Sequence, residues 1–250
     1  MIEIGDISAS ELLRDALDRF GAAFAVVTSF QDEGMVLVDM AARIHPHVRV
    51  ITVDTGRLPA ATQEMIGRVE RHYNLEVETI RPAAGEVAAM TSLFGEDLFR
   101  EDTAYRRLCC QVRKVRPLEA ALRGSMPGVA DVRAWASGLR REQAESRSQI
   151  QRMEESGGRL KLHPLADWTK AEVAAYLREH GVPRHPLYAA GYASIGCDPC
   201  TRAVQAGEDE RAGRWWWEQD AAKECGIHFS PDGRAERQVD VLLREVLAAR

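Results

Sequence analysis

Val48-Arg49-Val50-Ile51-Thr52-Val53, running straight into Asp54-Thr55-Gly56-Arg57-Leu58-Pro59, reads as a strand that ends in a polar, glycine-containing loop. The first half is rich in β-branched residues, which suit a pleated, buried surface. Pro59 stands where its fixed φ fits the start of a helix, and residues 60–73 carry a helical pattern. Working outward, Ala25-Val26-Val27-Thr28 is a second apolar strand, closed by the loop 29–34 and followed by a helix over 35–44. Residues 75–80 form a third strand. A β-α-β-α-β order implies an α/β fold: a parallel sheet covered by helices, joined by right-handed crossovers. Ligands of such sheets sit at the carboxyl ends of the strands, near the point where the strand order reverses.

The second half is less regular. Residues 86–94 and 105–122 read as helices, 129–136 as a strand leading into Ser137-Gly138-Leu139-Arg140-Arg141-Glu142-Gln143, and 160–162 as a short strand. Residues 154–159 (EESGGR) read as an exposed loop. Over 169–180 the helix signals are sharp, with Thr169 and Glu172 spaced as a capping box and Gly181 closing the last turn. A Pro, Gly and Tyr-rich loop covers 182–196, a helix is expected over 211–223, and a tail follows. No internal repeat interrupts this, so the 250 residues read as one domain.

Several classes are disfavoured. The net charge of −5 is a poor match to non-specific nucleic-acid or membrane-surface binding. No apolar run approaches the ~20 residues of a membrane span. The acidic, helix-like N-terminus lacks the basic and apolar regions of a signal peptide. The expected setting is cytoplasmic, where cysteines are more often metal ligands or catalysts than disulfides.

The five cysteines are Cys109, Cys110, Cys197, Cys200 and Cys225. An odd count argues against a closed disulfide framework, and four plus one matches the ligand number of a tetrahedral zinc or a cubane cluster. Zinc sites favour a Cys-x₂₋₄-Cys knuckle at both ends. Here one end is a tandem pair, which several irons accept more easily than one ion, so spacing leans toward iron–sulfur with zinc left open. Cys225 stands apart, in Lys223-Glu224-Cys225-Gly226-Ile227-His228. A free thiol with pKa ~8.5 is only a few per cent thiolate at pH 7, and Lys223, His228 or a bound arginine would raise that fraction. A buried structural cysteine is the plainer alternative.

The loop 29–34 offers the Ser29 hydroxyl and the free N–H groups of the following helix to an anion. It also reads as an ordinary capped βα loop. No GKS sequence is present, which argues against a Walker-type nucleoside triphosphatase. Arg211 and Arg214, three apart, would share one face of the expected helix and grip a phosphate or sulfate, or lie solvated. Of Trp215, Trp216 and Trp217, at least one should be core.

Together these stretches resemble the sulfonucleotide reductases, in particular the bacterial adenylyl-sulfate reductase branch. The resemblance is carried by Ser29-Phe30, by Val53 to Leu58 (VDTGRL), by Cys109 to Leu118 (CCQVRKVRPL) and by Gly138 to Gln143 (GLRREQ). It continues through Tyr192 to Thr201 (YASIGCDPCT), Gly213 to Glu218 (GRWWWE) and Lys223 to His228 (KECGIH). It implies an adenine-nucleotide α-hydrolase-like fold with a modified PP-loop, and a flexible C-terminal segment, about 219–250, carrying the nucleophile Cys225. Cys109, Cys110, Cys197 and Cys200 would ligate a [4Fe–4S] cluster. Ser29, Phe30, Asp54, Thr55, Gly56, Arg57 and Gly138 would line the nucleotide site. Arg140, Arg141, Arg211, Arg214 and His228 would face the phosphosulfate, with Lys114 between cluster and substrate. Gln31-Asp32 departs from the small residues common in the family, so no close backbone approach is carried over there.

The implied reaction reduces adenylyl sulfate to sulfite and AMP through an S-sulfo adduct on Cys225, in assimilatory sulfate reduction. With four cysteines tied to iron, Cys225 has no resolving partner, so an external dithiol, thioredoxin or glutaredoxin, is required; the family implies thioredoxin. A homo-oligomer is compatible with all of this. Reductases of the 3′-phosphorylated substrate usually lack the four cluster cysteines, and some cluster-bearing members accept both substrates. More distant alternatives are an iron–sulfur tRNA sulfurtransferase, which would need an ATP-type Ser-Gly-Gly loop, and a non-enzymatic metal-stabilised binding module, in which Cys225 would be dispensable.

Overall fold

A computed structural model describes residues 7–126, 128–218 and 234–250. Chain order is helix α1 (Ala9–Phe20), strand β1 (Phe24–Val27), α2 (Asp32–Ile44), β2 (Arg49–Val53), α3 (Ala60–Tyr73) and β3 (Val77–Ile80). Then follow α4 (Ala84–Phe94), α5 (Thr103–Cys110), α6 (Arg116–Leu122), β4 (Ala134–Ala136), β5 (Met153–Ser156), β6 (Arg159–Leu162), α7 (Lys170–Glu179) and α8 (Arg234–Ala249).

The strands form one sheet in the order β3-β2-β1-β4-β6-β5, parallel throughout except for β5, which pairs antiparallel with β6. The chain first builds outward from β1 to β3, then returns to β1's other edge with β4. The order therefore reverses between β1 and β4, which open a crevice at their carboxyl ends.

Alternation along β1 sends Phe24 and Val26 to one face and Ala25 to the other, all fully buried. The first face packs on α1, α2, α3 and α7 through Leu13, Leu37, Met65 and Leu177. The second packs on α6, where Leu118, Ala121 and Leu122 meet Ile51, Ile80 and Trp135. α1 owes its start to a capping box: Glu11 N–H donates to Ser8 Oγ at 3.2 Å and the Glu11 carboxylate accepts from Ser8 N–H at 2.7 Å. The box expected at Thr169 and Glu172 is present at the start of α7.

Three local departures from the sequence reading have physical causes. Residues 154–159 are not a loop but the heart of a hairpin, β5–β6, whose turn is made by Gly157 and Gly158, both at positive φ (58° and 74°). Its charged residues suit a strand at the sheet edge and hide the alternation that marks buried strands. The helix expected over 211–223 is absent from its described part: residues 211–218 form turns, with an isolated antiparallel bridge between Thr201 and Arg214. Gly213 permits that bridge, because a Cβ there would lie 2.3 Å from the Arg202 carbonyl oxygen. The expected flexible segment over 219–250 is in part a helix. α8 lies against α4 and α5 with Val246 fully buried, and residues 219–233, with Cys225 and His228, lie outside the described residues.

The helical stretch around the tandem cysteines is continuous but not uniform. Residues Gln111–Val115 form a π-helical turn between α5 and α6, and Pro117 sits in the first turn of α6. Such turns re-aim side chains within a helix and gather at functional sites. None of the described helices is long and apolar enough to cross a membrane.

Leu13 is fully buried between α1 and the sheet. Leu13→Ala should lower stability by about 2–5 kcal/mol in urea denaturation, the cost of an unfilled core site.

Candidate active site

The crevice at the β1/β4 reversal holds a cavity of about 180 Å³. Three strand ends build it. After β1, Phe30 takes a left-handed φ of 59° and its N–H donates to Thr28 Oγ1 at 2.9 Å, which turns the chain sharply into α2. Gly34 lies so close to that turn that a Cβ would stand 2.2 Å from Thr28 Oγ1. Gln31 bridges two loops: its amide N–H donates to Ser29 Oγ at 3.0 Å and its carbonyl accepts from Ile195 N–H at 2.8 Å. The larger residue at this point thus ties the first loop to the cysteine knuckle.

After β2, Asp54 accepts from Gly56 N–H at 3.0 Å and from Arg81 at 3.1 Å. Burial alone would raise its pKa, but the Gly56 amide, Arg81 and Gln63 together hold it below the usual carboxylate value. Gly56 supplies the positive φ of 72° that this turn requires. The loop is sewn to the knuckle by Asp198 N–H donating to the Arg57 carbonyl at 2.8 Å, and by Thr55 Oγ1 lying 3.2 Å from Cys197 Sγ.

After β4, Gly138 presses on the first turn of α2: a Cβ there would sit 2.8–2.9 Å from Glu33 and the Gly34 nitrogen. Arg140 clamps the same joint from beneath. It is 1% exposed, lies 2.8 Å from the Glu33 carboxylate, and also pairs with Glu142 at 2.9 Å.

Cys109, Cys110, Cys197 and Cys200 belong to one apolar nest with Met90, Phe99 and Trp215, and none is disulfide-bonded. Burial pushes the Cys109 thiol up to about 11 and the Cys200 thiol up to about 12, against the pull of Arg113 and Arg57 on the first and Arg214 on the second. Among the described residues no three His, Cys, Asp or Glu side chains converge as ligands of an ion. The donor set nevertheless suits a cubane: four unbonded thiols from two segments, with guanidinium groups to offset thiolate charge.

Cations gather on the cavity wall: Lys114, Arg147, Arg211 and Arg214, with Glu33 and Glu210 as the acids. The Arg214 guanidinium lies against the backbone of Gly196, donates to the Ile195 carbonyl at 3.3 Å, and stacks on Trp215 at 4.5 Å. Its buried Nε has no partner among the described residues, which suits an anion at this wall. Trp215 is itself core, held between Arg214 and Arg106, whose guanidinium stands 4.2 Å from the ring centre and pairs with Glu218. Trp217 packs on Phe99, and Trp216 is exposed.

Of the expected site residues, Ser29, Thr55, Lys114, Gly138, Arg211 and Arg214 line the cavity beside Cys110, Cys197 and Cys200. Phe30, Asp54 and Gly56 shape the loops instead. Arg57 pairs with Glu96 and Asp97 and lies over Phe99. Arg140 is committed to its clamp, and Arg141 to Asp167 and the Ile150 carbonyl. Arg211 and Arg214 meet at the cavity through turns, not through a shared helix face. The sequence reading missed Arg147, Gln143 and Ser137, which line the wall. No spacing or periodicity marks Arg147, since it reaches the site from consecutive 3₁₀ turns (Arg141–Gln143 and Glu145–Arg147).

An open parallel sheet with a cationic crevice at its reversal point and a thiol nest beside it defines an α/β domain built to hold an anionic ligand near sulfur chemistry. Residues 23–203 match the phosphoadenosine phosphosulfate reductase domain, and the chain belongs to that family. It is 46% identical to the adenosine 5′-phosphosulfate reductase of Allochromatium vinosum over 209 residues, 82% of this chain and 79% of that protein. It is 43% identical to the protein of the same name from Burkholderia cepacia, over 81% of this chain and 79% of that one. Among solved structures, the phosphoadenylyl-sulfate reductase of Candida auris, a phosphate complex, superposes with a TM-score of 0.65 at 26% identity, covering 81% of this chain and 93% of that one.

Breaking one partner of a buried ion pair leaves an uncompensated charge. Arg140→Met should therefore cost about 3–5 kcal/mol in urea unfolding, and adding Glu33→Gln should recover most of that loss.

Proposed function

We propose that this chain reduces adenylyl sulfate to sulfite and AMP, with Cys225 as the nucleophile. The observation that carries this reading is the meeting of Lys114, Arg147, Arg211 and Arg214 on one cavity wall next to the four-thiol nest. Thiolate and sulfate ester are both anionic, and two such charges ~4 Å apart repel by ~4 kcal/mol at an effective dielectric of 20. A wall of fixed cations offsets that repulsion. The first turn of α2, beside Ser29, adds the positive end of the helix dipole near the phosphate.

In the proposed reaction the Cys225 thiolate attacks the ester sulfur. An S–S bond forms, the S–O bond to AMP breaks, and AMP leaves with its oxygen. A thiolate of an external dithiol then attacks the Cys225 sulfur, expels sulfite and forms a mixed disulfide. The second thiol of the donor resolves it, so the donor is oxidised by two electrons. Thioredoxin, or glutaredoxin, has this chemistry, and the setting is cytoplasmic.

Cys109, Cys110, Cys197 and Cys200 would hold a [4Fe–4S] cluster, which would link α5 to the 197–200 knuckle and place fixed charge behind the cavity. Lys114, one turn beyond Cys110, lies between that nest and the substrate. The 46% and 43% identical relatives are adenosine 5′-phosphosulfate reductases, which favours the unphosphorylated substrate over its 3′-phosphorylated counterpart.

Anaerobically purified protein incubated with adenylyl sulfate and no reductant should gain one sulfonate on Cys225 by mass spectrometry. The adduct should be absent from Cys225→Ser and removed by reduced thioredoxin. No adduct from protein that retains its cluster would sink this assignment.

The cluster is tested separately. The protein should contain iron and inorganic sulfide in equal, near-fourfold amounts, and Cys197→Ser should lose both together with the visible absorbance. A fully active, iron-free preparation would refute the cofactor.

A further inference from the structure

Ser137 closes β4 at the reversal point and lines the cavity, yet its side chain also reaches inward. Its N–H donates to the Leu162 carbonyl at 3.0 Å, which holds it in the β4–β6 ladder. Its Oγ lies 2.9 Å from His163 Nδ1, and His163 Nε2 lies 3.1 Å from Glu154 Oε1. Lys161 Nζ stands 2.9 Å from the same carboxylate oxygen, and His163 is wholly buried. A Ser–His–carboxylate row therefore runs from the cavity wall to the edge hairpin.

Such a row has two uses: to activate a nucleophile, or to fix the direction of a hydroxyl proton. Glu154, paired with Lys161, can only accept hydrogen bonds, so the ring proton belongs on Nε2. A second ring proton is opposed first by burial and then by the Lys161 ammonium, which outweigh the support of Glu154 and Ser137 and lower the ring's pKa to about 4. The neutral ring leaves Nδ1 bare, and Nδ1 takes the Ser137 hydroxyl proton. A ring this reluctant to gain a proton is a poor general base, which argues against an activated serine. With its proton turned inward, Ser137 has only lone pairs left for the cavity.

We propose that Ser137 is a specificity-determining residue of the nucleotide cavity: an acceptor-only hydroxyl, oriented by His163 and Glu154, that takes a hydrogen bond from a neutral donor of the nucleoside and disfavours a phosphate at the same place. The donor is a ribose hydroxyl or the adenine amino group. This inference rests on the adenylyl-nucleotide reading given above.

The test measures AMP, 2′-deoxy-AMP, 3′-deoxy-AMP and purine riboside monophosphate, which lacks the amino group, by calorimetry on the cluster-bearing protein. Ser137→Ala should bind AMP roughly 3- to 10-fold more weakly, the loss expected for one neutral hydrogen bond, while Ser137→Thr keeps the affinity. One analogue should show the same loss with the unaltered protein and no further loss with Ser137→Ala, which identifies the donor. Analogue losses that are equal in both proteins would overturn the proposal while leaving the nucleotide reading intact. Absence of any AMP binding to the unaltered protein would defeat both. In ¹⁵N-histidine NMR, with His163 assigned through His163→Asn, Nε2 should be protonated and Nδ1 bare at neutral pH. An Nδ1–H tautomer or an imidazolium would refute the orienting role.

Discussion

Parallel pairing of β1 with both β2 and β4 is the constraint on which the rest depends. A strand buried on both faces cannot accept a polar side chain along its length, so Phe24, Ala25 and Val26 are all apolar and wholly enclosed. Function is thereby pushed to the strand ends. There the neighbouring connections leave in opposite directions, and a crevice opens between them. Gly34 and Gly138 let α2 approach that crevice closely, and the Arg140–Glu33 pair holds the joint from below. Cavity shape is therefore a consequence of strand order and of two missing Cβ atoms.

The second structural theme is the joining of distant segments by backbone contacts. Residues 54–57, 109–115 and 195–200 come from three parts of the chain, yet Arg113 donates to the Thr55 carbonyl, Asp198 to the Arg57 carbonyl and Ile195 to Gln31. These bonds, with the Thr55–Cys197 contact, hold the cysteine knuckle and the π-helical turn against the loop after β2. The π-helical turn after Cys110 re-aims Lys114 toward the cavity while Arg113 stays with the loop. Charge is arranged in layers: arginines that neutralise buried carboxylates beneath, and arginines and a lysine at the wall above.

Much of this was legible in the residues. The β-α-β-α-β order, the caps of α7 and the loops after β1 and β2 were all read from local pattern, because each rests on chemistry within a few residues. Arginine roles were not. Arg140 and Arg141 look no different in the sequence from Arg147, yet Arg140 is a buried clamp and Arg147 lines the cavity. The charged edge hairpin and the bridged turn at Gly213 were missed for a related reason: their pairing partners lie elsewhere in the chain or carry no apolar signal.

By itself the sequence determined the class of fold and the family, since periodicity, capping and motif residues are local and survive any arrangement of the rest. Only the tertiary structure decided which cations reach the cavity, which are spent on ion pairs, and that Ser137 is wired to His163 and Glu154. Those outcomes follow from contacts between residues far apart in the chain, 107 positions in the Arg140–Glu33 bond and 112 in the Arg106–Glu218 pair, and no local pattern encodes which of several equivalent side chains meets a given partner.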